Sequence, residues 1–154
     1  MDKRHSVHNT HLMAEAEGIV KPQYPTAVQV MNIGTATAGP ATKAEDIDRW
    51  KFTFTDIDGL STITLDYLQG RFGKAVRVVK PWVETEIQEL PRHMDLVQAV
   101  DLMRGSGYEG AFESVTLRSQ VVEEEDPSYV FKNGSDLIFV NVNSGKVTRG
   151  FEKA

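Results

Sequence analysis

The chain has 154 residues, 40% apolar and 25% charged, with 17 Lys and Arg against 22 Asp and Glu for a formal charge of −5. That is too apolar for a disordered chain, and no stretch approaches the ~18 uncharged apolar residues of a membrane span. The absence of Cys excludes disulfides, thiolate metal sites and Cys nucleophiles, and the acidic balance argues against a protein that tracks phosphates.

Met1-Asp2-Lys3-Arg4-His5-Ser6-Val7-His8-Asn9 is polar and has no apolar signal core. Residues 1–10 are therefore expected to form a flexible N-terminus. Leu12, Met13, Ala16, Ile19 and Val20 recur at helical spacing, with Asn9 or Thr10 placed to cap the start and Gly18 weakening the end. Pro22 and Pro25 force an extended exit into a strand at 27–33. Residues 34–48, rich in Gly, Ala, Thr and Pro, read as a long loop. Trp50, Phe52 and Phe54 alternate with Lys51, Thr53 and Thr55, the period of a half-buried strand. Asp56-Ile57-Asp58-Gly59 turns the chain, Ile63, Leu65 and Tyr67 line the returning strand, and Gln69-Gly70 turns again. A further strand at 75–79 is stopped by Pro81, and 81–92 reads as a connector.

The second half follows the same order. Leu96, Val97, Val100, Leu102 and Met103 predict a helix with an acidic first turn at Asp95, stopped by Gly105-Ser106-Gly107. Phe112 to Val122 is a strand, and Glu123-Glu124-Glu125-Asp126 before Pro127 is a solvated loop. Tyr129-Val130-Phe131 opens a hairpin that turns at Asn133-Gly134. Leu137 to Val142 returns, Asn143-Ser144-Gly145 turns, and Lys146 to Phe151 is the last strand. Laid over each other, the halves pair Leu12 with Leu96, Ala16 with Val100, Met31 with Val115 and Ile33 with Leu117. Beyond the first loop, Trp50 pairs with Tyr129 and Phe52 with Phe131. Beyond the hairpin, Leu65 pairs with Val140, Tyr67 with Val142 and Gly70 with Gly145. All length differences fall in loops, where they are tolerated, and the same strand face is expected to stay apolar in both halves.

The run Phe139-Val140-Asn141-Val142-Asn143-Ser144-Gly145-Lys146-Val147, preceded by Tyr129-Val130-Phe131, resembles the late strand and turn of a PepSY-type module. Leu65-Asp66-Tyr67-Leu68-Gln69-Gly70-Arg71-Phe72 matches it more loosely. The resemblance implies a helix followed by a small antiparallel sheet, a non-catalytic binding or inhibitory role, and no catalytic residues. The expected fold is α+β, as two tandem αβββ-type modules at 11–80 and 93–154 joined by the connector, their sheets meeting edge to edge to hide exposed strands.

Candidate chemistry is sparse. His5, His8 and His11 offer imidazoles at a spacing that places His5 and His8 on one helical face, but a frayed terminus is the simpler reading, and no metal or other cofactor is expected. His93 lies near the second helix start, with Asp95 and Asp101 as acids for a general-base pair; no nucleophile motif accompanies it, so a surface or cap histidine is expected. Asp56 and Asp58 lack the downstream ligands of a calcium loop. Nothing sets the separation of Asp66 and Glu84. Gly70-Arg71-Phe72-Gly73-Lys74 is a turn, not a phosphate loop.

Basic and aromatic residues interleave in the first half. The repeat assigns Trp50 and Tyr67 to the core side, which leaves Trp82 as the exposed aromatic. Trp82, Arg49, Lys51 and Arg71 are therefore the expected binding residues, helped by the loops 34–48 and 120–127. The function expected is a non-enzymatic module that binds or inhibits another protein, with no nucleic acid and no membrane insertion, as a monomer or weak homodimer. It is cytoplasmic if Met1 is native, and periplasmic or secreted if a signal peptide was removed. The alternative is a small-molecule-pocket protein or enzyme of cystatin-like α+β fold, using His93 with Asp95 or Asp101.

Overall fold

A computed structural model describes residues 9–83, 87–119 and 126–151. Helix α1 (Asn9–Val20) is followed by β1 (Ala27–Thr35), a single 3-10 turn at Ala44–Asp46, β2 (Arg49–Asp56), β3 (Thr62–Leu68), β4 (Arg71–Phe72) and β5 (Val76–Val78). Helix α2 (Leu96–Gly105) then precedes β6 (Ser114–Arg118), β7 (Ser128–Asn133), β8 (Asp136–Asn141) and β9 (Val147–Phe151). The strands form one antiparallel nine-stranded sheet in the order β4-β3-β2-β1-β6-β7-β8-β9, with β5 also on the free side of β3. The fold is thus α+β. Strand order runs outward in chain sequence from a central β1–β6 pair on both sides.

The alternation in the sequence decides which face meets the helices. Trp50, Phe52 and Phe54 of β2, Ile63, Leu65 and Tyr67 of β3, Tyr129 and Phe131 of β7 and Ile138 and Val140 of β8 all point inward. They share one core with Leu12, Met13 and Ala16 of α1 and Leu96, Ala99 and Met103 of α2. No helix of the described residues is long and apolar enough to cross a membrane. The hairpin ends follow turn chemistry. Gly70 and Gly145 both have positive φ, +93° and +73°, and the Asn141 carboxamide oxygen accepts the Asn143 and Ser144 N–H groups at 2.8 and 2.9 Å, a side-chain turn of the kind asparagine favours.

Three expectations need correction. First, Asn9 and Thr10 belong to α1, and Asn9 is fully buried, whereas a flexible terminus over 1–10 was expected; residues 1–8, with His5 and His8, lie outside the described residues. Second, Met31 and Ile33 do not share a face with Val115 and Leu117. A β-bulge between Gln29 and Met31 shifts the phase of β1 by one residue, because an extra residue turns every later side chain over. Gln29 faces α1, donating to the Met13 carbonyl at 3.2 Å. Val30 and Met31 instead pack in a separate cluster with Trp82. Third, the segment 36–48 is stitched into the fold. Ala41, Ala44 and Ile47 are in the core, Ala41 pairs with Phe112, and Thr37 donates to Asp48 through its N–H at 2.9 Å and its hydroxyl at 2.7 Å. Burial raises the pKa of Asp48, but the hydrogen bonds from Thr37 and Gln69 outweigh it and leave the carboxyl below its usual range.

The helix starts meet at Tyr129 of β7. The Asn9 carboxamide oxygen accepts the Leu96 N–H at 2.7 Å, and the Asp95 carboxylate accepts the N–H and hydroxyl of Thr10. Each helix thus has an N-terminal N–H satisfied by a side chain of the other, a cap supplied in exchange. Below them Tyr129 receives the Asn9 amide at 2.8 Å and donates to the Met94 carbonyl at 2.7 Å. Burial pushes the Tyr129 pKa well up, and Tyr67 is raised for the same reason.

Two outcomes are expected. Phe52→Ala and Phe131→Ala should each cost about 3–5 kcal/mol in denaturant unfolding; a loss under about 1 kcal/mol would contradict the strand phase. Because the folded tyrosines resist ionisation while unfolded ones ionise near pH ~10, the associated stability is whole below that pH and is lost as pH rises past it. Thermal midpoints should therefore fall steeply above about pH 10, and Tyr129→Phe should flatten that fall.

Candidate functional site

The two faces of the sheet differ. The inward face carries the helices. On the other, among the described residues, the chain crosses only near one end, where Thr62 donates to the Lys80 carbonyl at 2.9 Å and the Trp82 N–H to the Gly59 carbonyl at 2.9 Å. Trp82 is only 9% exposed, packed on Val30 and Met31. It is not the exposed aromatic expected from the sequence. The bulge supplies the reason, by turning apolar side chains of β1 to this face for the indole to cover.

Beyond this strap, among the described residues, the face is exposed along β2, β3 and β4 at Arg49, Lys51, Asp66, Leu68 and Arg71. Register places Arg71 opposite Leu68, Leu68 opposite Arg49, Arg49 opposite Thr35, Thr35 opposite Ser114 and Ser114 opposite Lys132. Directly paired residues share a face, so these six form one row across the sheet. A second row runs through Asp66, Lys51, Ile33, Thr116, Val130 and Phe139. The structure thus brings three of the four expected binding residues, Arg49, Lys51 and Arg71, onto one surface and packs Trp82 onto Val30 and Met31 at its far end. Arg118 and Lys132 extend the basic character onto β6 and β7. Sequence reading missed these two; the alternation of β6 and β7 puts them on the polar side, but only the register joins them to Arg49.

The acid–base alternative finds no assembled site. His93 is exposed, and its Nε2 donates to the Val142 carbonyl at 2.9 Å, while Asp95 holds the start of α1. A cleft of about 260 Å³ opens at the end of α2, lined by Tyr108, Phe112, Phe131, Asn133, Asp136 and Arg149 among others, but not by His93, Asp95 or Asp101. Arg149 donates to both Asp136 oxygens at 3.0 Å there. His11 pairs with Glu15 at 2.9 Å, and the described residues hold no cluster of three or more metal-ligating side chains. Asp56 and Asp58 serve the turn, through Ser61 and the Leu60 N–H. Glu84 and the run 123–125 lie outside the described residues.

No family model matches this chain, and no curated protein matches it. Among solved structures, it is similar to a candidate lipoprotein from Clostridium difficile 630, at 13% identity and a TM-score of 0.55 over 90% of this chain and 92% of that one. That similarity is one of fold.

Burial of the indole leads to a specific expectation. Trp82→Ala should lower stability by about 3–5 kcal/mol in denaturant unfolding, an outcome an exposed contact residue would not give.

Proposed function

We propose that this chain is a tandem PepSY-like duplication that acts without catalysis, binding or inhibiting another protein through the open face of its sheet. The observation that carries the reading is the alignment of Arg49, Lys51 and Arg71 on a face that the helices leave uncovered. Rigid strands hold such side chains in place before a partner arrives, which reduces the ordering cost of association. The duplication is supported by the outward strand order on both sides of β1–β6 and by the exchanged caps between Asn9 and Leu96 and between Asp95 and Thr10. An exported location belongs to the proposal, since the structural neighbour is described as a candidate lipoprotein.

The stitching of the segment 36–48 to Phe112 and Asp48 supports giving the sheet face, rather than that loop, the part that reads the partner; most of the loop 120–127 lies outside the described residues.

The test is site-specific photo-crosslinking in cells producing the full chain, with p-benzoylphenylalanine at Leu68 on the open face, Thr42 on the stitched segment and Gln98 on the helix side. A discrete adduct from Leu68 with none from Gln98 is expected. Adducts from none of the three positions would overturn the reading. So would a turnover, found in a substrate screen, that His93→Ala abolishes without unfolding the protein.

A further inference from the structure

We infer that the partner surface is an acidic face of another protein, seated on Arg49, Lys51, Leu68 and Arg71. This rests on the binding reading above and narrows it. The chain as a whole carries −5, yet the strand positions on the open face that bear charge are Arg49, Lys51, Arg71, Arg118 and Lys132 against Asp66 alone. Among the described residues, the β2–β4 part of this face, with Arg49, Lys51 and Arg71 against Asp66, therefore carries the sign opposite to that of the whole chain. Strands lie about 4.8 Å apart, so Arg71 and Arg49, two strands apart, stand about 10 Å from each other across the row, and Lys132 lies about 14 Å beyond Arg49, three strands on.

Apolar and hydroxyl side chains fill the gaps: Leu68, 46% exposed, sits between the two arginines, and Thr35 and Ser114 continue the row. Separated cations around apolar and hydroxyl groups match carboxylates spaced on a folded surface, with short apolar contacts between them. A nucleic-acid strand presents phosphates at closer intervals and takes stacking platforms. Of the aromatics on this face, Trp82 is packed away at 9% exposure and Phe139, half-buried and lying against Gly150, is four strands from Lys51, so neither stands among these cations as a stacking platform, and Asp66 would face the phosphates. A second copy placed face to face would bring Arg49, Lys51 and Arg71 against their own equivalents, which like-charge repulsion opposes.

The measurement is amide chemical-shift titration of the full ¹⁵N-labelled chain with three probes: poly-L-glutamate, a duplex DNA oligonucleotide, and phosphatidylglycerol vesicles. Poly-L-glutamate is expected to move the amides of Arg49, Lys51, Leu68 and Arg71. Affinity should fall about tenfold in the Arg49→Glu/Lys51→Glu variant and weaken with added salt. Asp66→Asn should tighten binding, with unchanged thermal midpoints in both variants serving as the folding control. Tighter binding of DNA or vesicles at these residues overturns the inference, as do shifts confined to the helix side or an unchanged affinity in the charge-reversed chain. Self-association that disappears with Arg49→Glu/Lys51→Glu overturns it in favour of a second copy. A discrete crosslink from Leu68 together with an unchanged affinity for poly-L-glutamate in the charge-reversed chain would defeat this inference while leaving the binding reading intact, whereas crosslinks from no position would defeat both.

Discussion

The antiparallel pairing of β1 with β6, from Met31–Arg118 to Thr35–Ser114, sets the geometry of everything else. Without it each half would end in an open edge strand with unpaired N–H and C=O groups, a template for aggregation. With it the ladder continues across the middle, and the inward side chains of both halves fall on one face. A single core can then serve two helices that would each be too short to be stable alone. It also brings side chains far apart in the chain, such as Arg49 and Lys132, into one row.

On the inner face the helices are tied by their starts. Leu96 donates into Asn9 and Thr10 into Asp95, so each helix start has one N–H satisfied only when the other is in place, beside the local capping box of Asp95 and Gln98 on α2. Tyr129 closes the arrangement from the sheet side through Asn9 and the Met94 carbonyl. These groups are buried or partly so, where an unpaired polar atom costs about 1–3 kcal/mol. The network therefore favours one relative placement of the two helices. It also explains why Asp95 and His93, the most plausible acid–base pair in the sequence, are engaged elsewhere: the carboxylate holds α1, and the imidazole meets Val142.

The bulge in β1 has consequences on both sides of the sheet. On the inner side it leaves Gly34 beneath Trp50, where a Cβ would lie 2.9 Å from the indole and 2.8 Å from Ile47; the close approach needs a residue without a side chain. On the outer side it presents Val30 and Met31, and Trp82 covers them. One irregular residue thus links the packing of the core to the strap that closes one end of the open face. The remainder of that face keeps the polar, basic row.

Much of this was legible in the residues. The two-residue period of Trp50-Lys51-Phe52-Thr53-Phe54 can bury only one side of a strand, and Asp-Gly, Asn-Gly and Asn-Ser-Gly turns specify hairpins through local backbone preference alone. The helices, the hairpins, the α+β class and the inward residues of β2, β3, β7 and β8 follow from such short-range physics, as does the basic character of Arg49, Lys51 and Arg71. The bulge at Val30, the burial of Trp82, the exchange of caps between Asn9 and Asp95 and the anchoring of Ala41 to Phe112 do not follow from it. Each depends on a partner tens of residues away in the chain, and a one-residue shift in strand phase leaves no mark on the local pattern of apolar residues. Sequence alone determined which side chains would be paired inward or outward within each hairpin; only the tertiary structure decided which strands became neighbours, and therefore which outward charges stand together.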